Sequence, residues 1–208
     1  MLRSFICSII ILFTSLIGAN VSAKISSSEI YKPGAYDFVY GNADAPVQIL
    51  EYFSLTCPHC ENFHTTVFPK LKSKYIDTGK VMWIKRSYAI DEASNAGTML
   101  LNCVDKQSYE AFLNILLTKQ SSWAYQKDFL DKLRNIAGLG GISTEKFDAC
   151  MKDKKLAREL IKIAQDGKRI LRFSGTPSFY INQKKTEAYS YKSFTKQIDN
   201  ALSEIEKK

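Results

Sequence analysis

Two apolar runs on either side of a helical pattern constrain the fold of this chain more than any other feature. The first run, "APVQILEYFS" (45–54), and the second, "VMWIKR" (81–86), are almost continuous, which is typical of strands buried on both faces of a sheet. Between them, apolar residues recur at helical spacing from 63 to 75, and Pro69 is expected to kink that helix. The order of strand, helix and strand predicts a βαβ unit.

The motif "CPHC" (57–60) lies between the first strand and the helix, and four kinds of site use such a motif. A c-type haem site needs a histidine directly after the second cysteine, where this chain has Glu61. A structural zinc site needs four ligands, whereas Cys57, Cys60 and His64 supply three. An inert crosslink over so short a loop would constrain the unfolded chain very little. A redox-active dithiol is the interpretation that we favour.

The first 23 residues have the pattern of a secretory signal peptide. Arg3 gives a positive start, an uncharged apolar run follows over 5–19, and the small residues Val21 and Ala23 end the segment. The alternative is an uncleaved membrane anchor, although the run is short for a span of about 20 residues. Cys7 would leave with the signal, so the exported chain would keep four cysteines in an oxidising compartment.

The electrostatics of a helix start give the motif its reactivity. Cys57 would lie where unpaired amide groups and the helix dipole favour an anion. Pro58 suits the first helical position, because its missing N–H leaves no bond unmade there. His59 can donate a hydrogen bond or carry charge beside the thiolate. A thiolate stabilised in this way makes the disulfide easy to reduce, and therefore oxidising toward other thiols.

The rest of the chain predicts an α/β domain that contains an inserted helical block. An edge strand is expected at 36–40, and four or five helices between about 90 and 171, with breaks at 138–141 and near 120–123. A strand "SFYI", a polar turn "NQKK", a strand "TEAYS" and an amphipathic helix follow. The predicted division is a signal peptide (1–23), a first part (24–87), a helical insertion (88–172) and a second part (173–208).

Several of these segments resemble the DsbA family of thiol:disulfide oxidoreductases. They are "ILEYFSLTCPHCENF", the helical block and "GTPSFYI". The resemblance implies an α/β thioredoxin fold with an inserted all-helical subdomain. It also implies that Cys57 is the nucleophile, that Cys60 resolves the mixed disulfide, and that the pair forms a redox-active disulfide. Pro177 is expected to be cis, to face the cysteines and to bind substrate together with Thr176.

Thr176 departs from the pattern of the oxidising members of the family, which more often have valine before this proline. Threonine there is more typical of isomerase-type relatives, so a disulfide isomerase or reductase is the alternative function. Such isomerases add an N-terminal dimerisation domain, for which residues 24–35 are far too short. The oxidase therefore stays the first hypothesis. A copper or zinc carrier that uses Cys57, Cys60 and His64 is a further alternative.

The resemblance also implies partners and a location. We expect a periplasmic protein, reduced cysteine-containing exported proteins as substrates, and a membrane quinone-linked reoxidation partner of the DsbB type. No cofactor and no metal is expected in the chain, and a monomer is expected. The net charge of +8 is scattered, with no basic stripe between aromatic residues, so nucleic-acid binding is not expected.

Three further sites carry expectations that a structure can test. Glu51, on the first buried strand, is either an exposed strand-end carboxylate or a buried acid that tunes proton transfer near Cys60. His64 is expected to be a partly exposed helix residue. Cys103 and Cys150 are expected to pair in an exported protein, which would stabilise the fold by roughly 4 kcal/mol. The alternative is two buried free thiols.

Overall fold

The computed structural model describes residue 26 and residues 28–207. The predicted signal peptide (1–23) lies outside these residues. A short 3-10 helix, Glu29–Tyr31, lies in the lead-in to the first strand. Among the described residues, no helix combines the length and the apolar character needed to cross a membrane.

A mixed five-stranded sheet forms the centre of the α/β domain. Its spatial order is β1-β3-β2-β4-β5; β2 and β3 are parallel, and the three other neighbouring pairs are antiparallel. The predicted edge strand and the two central strands are present. The strands are β1 (Phe38–Tyr40), β2 (Val47–Phe53), β3 (Val81–Ser87), β4 (Ser178–Ile181) and β5 (Lys184–Thr186).

The helix between β2 and β3 alternates between α-helical and π-helical hydrogen bonding. The α-helical segments are α1 (Pro58–Asn62) and α2 (Phe68–Leu71), and the π-helical segments are Phe63–Val67 and Lys72–Ile76. Pro69 is the second residue of α2, the segment that directly follows the first π-helical one. The residue predicted to kink the helix therefore coincides with a change in its hydrogen-bonding pattern, because proline has no N–H to donate.

The helical insertion lies between β3 and β4, as predicted. Its helices are α3 (Glu92–Cys103), α4 (Tyr109–Thr118), α5 (Gln120–Trp123), α6 (Phe129–Leu139), α7 (Thr144–Met151) and α8 (Lys154–Leu171). The break predicted near 120–123 is wrong, since these residues form the single turn α5. Trp123 is fully buried there and donates its indole N–H to the carbonyl of Leu116.

The last hairpin begins earlier than predicted. Asn182 and Gln183 have φ values of 44° and 68°, so these two residues alone make the turn. The strand expected at "TEAYS" is instead β5, and it contains two exposed lysines. Left-handed residues at both central positions match the twist of a tight hairpin. The chain ends with α9 (Tyr191–Glu206), the predicted amphipathic helix.

The "CPHC" motif lies in one of the two largest apolar cores. One lies between the sheet, the β2–β3 helix and α9, and it contains Trp83, Phe179 and Phe194. The other fills the insertion around Trp123, and it includes both motif cysteines as well as Phe53 and Leu55 from the end of β2. The dithiol therefore lies where the insertion packs against the α/β domain.

Candidate active site

Cys57 is the N-cap residue of α1. Its backbone is extended (φ −90°, ψ 117°), and Pro58 follows in the first turn of the helix, as the sequence predicts. The carbonyl of Cys57 accepts the amide hydrogens of Cys60 and Glu61 at 3.0 and 3.1 Å. Helical hydrogen bonding thus begins at the cysteine itself, and the first amide groups of the helix are left to face its sulfur.

The sulfur of Cys57 is surrounded by hydrogen-bond donors that favour its anion. The Cys60 thiol has the largest effect, and the Thr176 hydroxyl and the amides of Cys60 and His59 add to it, lowering the pKa of Cys57 to about 5 against the opposing effect of burial. In the protonated form, the Cys57 thiol donates to the carbonyl of Thr176 at 3.1 Å.

Cys60 has the opposite environment. Its side chain is buried, and the amide of Ser54 donates to its sulfur at 3.4 Å. Burial, followed by the proximity of Cys57, raises the pKa of Cys60 well above its ordinary value. The two sulfurs of one motif therefore differ in acidity, and they are free cysteines in this structure.

The peptide bond between Thr176 and Pro177 is cis, which is the form expected from the resemblance. Both residues face an open groove of about 370 Å³ beside α1. The groove has a mixed polar and apolar lining. It consists of His59, Asn62, Phe63, Ser174, Gly175, Thr176, Pro177, Ser178, Lys185, Glu187 and Tyr189.

Glu51 is buried, so the exposed strand-end interpretation is wrong. Its Oε2 accepts from Lys85 Nζ at 2.7 Å and from the Trp83 indole N–H at 2.8 Å, whereas its Oε1 has no hydrogen-bond partner. Lys85 is not among the site residues predicted from the sequence, although a lysine inside an apolar strand indicates a buried partner. The register of β2 and β3 places Glu51 directly beside it.

His64 is also buried, which corrects the expectation of partial exposure. Its ring stacks on Phe68 at 5.7 Å and lines a different groove from that of Pro177, and its Nδ1 has no partner. Burial, with a smaller effect of the Lys85 charge, lowers the pKa of His64 to about 3. Among the described residues, no three His, Cys, Asp or Glu side chains lie together as a metal site. The described residues therefore offer no set of ligands for the copper or zinc carrier hypothesis.

Cys103 and Cys150 are joined as a disulfide in the structure. This bond links the last residue of α3 to α7, within the insertion and away from the dithiol. The loop before Cys57 also has partners that are not predicted from the sequence. The side chains of Gln120 and Tyr125, from the insertion, bond its backbone carbonyls.

Comparisons with known proteins agree with this geometry. The thioredoxin family model matches residues 35–200. A Rickettsia bellii protein named as a protein-disulfide oxidoreductase is 36% identical over 179 residues, 86% of this chain and 69% of that protein. A Rickettsia prowazekii protein with a similar name is 39% identical over 173 residues, 83% of this chain and 64% of that protein.

Solved structures extend the similarity to three dimensions. Wolbachia pipientis alpha-DsbA1 superimposes with a TM-score of 0.78 at 32% identity, covering 86% of this chain and 100% of that one. Bacillus subtilis BdbD, in its oxidised form, has a TM-score of 0.70 at 23% identity, covering 83% and 96%. The second likeness is one of fold alone.

Proposed function

This chain belongs to the thioredoxin family and is a protein-disulfide oxidoreductase of the DsbA type, and from this premise we propose that it is an exported dithiol oxidase. It donates the Cys57–Cys60 disulfide to reduced proteins. The observation that carries the proposal is the contrast between the two sulfurs. Cys57 lies at the helix start among anion-stabilising donors, whereas Cys60 is buried behind it.

The reaction has two exchange steps. A substrate thiolate attacks the Cys57 sulfur of the oxidised motif, which forms a mixed disulfide and releases the Cys60 sulfur, which takes up a proton. A second substrate thiolate then attacks the substrate sulfur of the mixed disulfide, and Cys57 leaves as a thiolate. Two electrons pass to the protein, and the substrate keeps a disulfide.

The acidity of Cys57 gives the second step its driving force. Cys57 ionises about two pH units below pH 7, whereas an ordinary thiol is still protonated at pH 7. Relative to an ordinary thiol, a pKa of about 5 therefore stabilises the reduced form at pH 7 by about 3 kcal/mol. For a two-electron couple, this corresponds to about 60 mV toward a stronger oxidant.

Glu51 is the proposed proton partner of Cys60. Its negative charge lies close enough to raise the pKa of the Cys60 thiol, and its unpartnered Oε1 can accept a proton. Pro58 and His59 tune Cys57 from the helix start, and Thr176 and Pro177 form the edge of the groove that receives the substrate peptide.

The proposed location is the periplasm, reached through the signal peptide at 1–23. The proposed substrates are exported proteins with reduced cysteines, and a quinone-linked membrane protein of the DsbB type is the proposed reoxidant. The protein acts as a monomer. Support comes from the disulfide between Cys103 and Cys150, a bond typical of exported proteins.

An isomerase or reductase of the same fold is the second candidate, and Thr176 favours it. Its carbonyl accepts from the Cys57 thiol, which stabilises the protonated form. The oxidase is favoured because the other contacts of this sulfur lower its pKa. The two candidates differ in redox potential, so one measurement separates them.

The deciding experiment combines two measurements on the reduced protein. Thiolate absorbance is followed against pH, with Cys57→Ser as the control that removes the transition. The equilibrium with glutathione is then measured for the wild type. An oxidase gives a transition near pH 5 and a disulfide that glutathione reduces readily. An ordinary thiol pKa, or a potential near that of thioredoxin (about −270 mV), would reject the oxidase.

A further inference from the structure

Three consecutive carbonyl groups before α1 are bonded by two side chains of the helical insertion. Gln120 Nε2 donates to the carbonyl of Leu55 at 2.8 Å and to that of Cys57 at 3.1 Å. The Tyr125 hydroxyl lies 2.9 Å from the carbonyl of Thr56 and 2.7 Å from Gln120 Oε1, and its single proton can be given to either. Gln120 is buried, whereas Tyr125 is 56% exposed.

The side chains of the same loop are also held by the insertion. Leu55 is fully buried next to α3, where a methyl group added at Gly97 would lie 2.8 Å from Leu55 Cδ1 and 3.0 Å from the Trp123 ring. The Thr56 hydroxyl donates at 2.7 Å to Asp91, the N-cap residue of α3. The path of the loop is therefore set by the insertion rather than by the sheet.

We propose that Gln120 and Tyr125 are positioning residues for the reaction, and that they act through the direction of the loop carbonyls. With the three oxygens held toward the insertion, the sulfur of Cys57 meets the amides of α1 and no carbonyl dipole of residues 55–57. This inference rests on the proposed function, since it concerns how the same dithiol is made oxidising.

The physical reason is the sign of the peptide dipole. A carbonyl oxygen that turned toward the Cys57 sulfur would repel a thiolate and raise the pKa of the thiol. Gln120 holds the oxygens of Leu55 and Cys57 where they are, and Tyr125 holds that of Thr56. Such a rotation would therefore give up a hydrogen bond. The insertion thus contributes to the redox chemistry, although it supplies no reacting atom.

The test uses variants that remove donors but keep side-chain size. Gln120→Met removes both amide bonds, and Tyr125→Phe removes only the hydroxyl of a half-exposed ring. Gln126→Met is the matched control, because Gln126 is exposed and donates only to the carbonyl of Ser121. The Cys57 thiolate titration and the glutathione equilibrium are measured for each variant, with urea unfolding to follow stability.

We expect Gln120→Met to raise the thiol pKa and to change the glutathione equilibrium constant by about threefold to tenfold toward a weaker oxidant, as the loss of one to two neutral hydrogen bonds implies. Tyr125→Phe should also raise the thiol pKa, and it should change the glutathione equilibrium constant by about threefold in the same direction, with little loss of stability. Gln126→Met should match the wild type.

A purely structural role predicts a different result. The variants would then lose stability but keep the wild-type Cys57 titration and glutathione equilibrium. That result for Tyr125→Phe, and for Gln120→Met if this variant folds, overturns the inference, while the oxidase proposal stands. If the wild type itself has an ordinary thiol pKa, the oxidase proposal fails first, and the variants are not needed to show it.

Discussion

The ammonium nitrogen of Lys85 lies 2.7 Å from Oε2 of Glu51, and neither side chain is more than 1% exposed. The two residues are neighbours in the register of the parallel strands β2 and β3. Lys85 Nζ also lies 4.2 Å from the centre of the Phe68 ring. Each charge is thus neutralised only by groups that other segments of the chain bring to it.

Glu51→Gln should strongly destabilise the protein. The change leaves the Lys85 charge buried without its counter-ion, which typically costs about 3 to 5 kcal/mol in the free energy of unfolding. Urea unfolding of the oxidised protein measures the loss. Lys132→Gln, at an exposed ion pair with Asp128, is the matched control and should change stability by about 0.5 kcal/mol or less. Equal losses in the two variants would contradict the prediction.

The reduced protein should gain stability with pH over a defined window. The Cys57 thiol has a pKa of about 5 in the folded state and about 8.5 in the unfolded state. Between these values, the unfolded state holds a proton that the folded state lacks, so each pH unit upward adds about 1.4 kcal/mol to the unfolding free energy. This contribution to the unfolding free energy is lost as the pH falls through about 5.

Urea unfolding of the reduced and oxidised proteins from pH 4 to 8 checks this dependence. The difference between the two forms should follow the Cys57 titration, because the thiolate exists only in the reduced form. Reduced Cys57→Ser should lack the trend. A difference between the forms that is flat across the window in the wild type would show that Cys57 is not acidic.

His64 should make the protein sensitive to acid. Its pKa is about 3 when folded and about 6.5 when unfolded. As the pH falls from 6.5 toward 3, the unfolded state gains a proton that the folded state does not, and stability falls by about 1.4 kcal/mol per unit. His64→Leu should remove this part of the acid sensitivity, as measured by urea unfolding across the range. The oxidised protein is used, so that no Cys57 thiol contributes to the slope.

Removal of the second disulfide should lower stability without the loss of any catalytic sulfur. The bond between Cys103 and Cys150 closes a separation of 47 residues, which corresponds to roughly 4 kcal/mol in the chain-entropy model. Cys103→Ala combined with Cys150→Ala should lose about this amount in urea unfolding. Cys103→Ala alone should lose as much, since one cysteine cannot form the bond. A double variant as stable as the wild type would contradict the prediction.

The βαβ unit and the position of the dithiol within it follow from the amino-acid sequence alone. Strand and helix periods can be read from local spacing, and Pro58 marks the first turn of a helix, so Cys57 had to lie at the helix start. The helical insertion followed from the same periodicity. The break between helices predicted near 120–123 is wrong, because a single helical turn is too short to show a period.

The surroundings of these residues depend on how distant segments of the chain pack. Glu51 is buried because Lys85, 34 residues later, lies beside it, and His64 is buried against Phe68. Gln120 gave no local signal for its bonds to the loop before Cys57. Periodicity tells which residues face inward, but the partner of a buried charge or carbonyl comes from a distant segment, and its identity depends on how the elements pack.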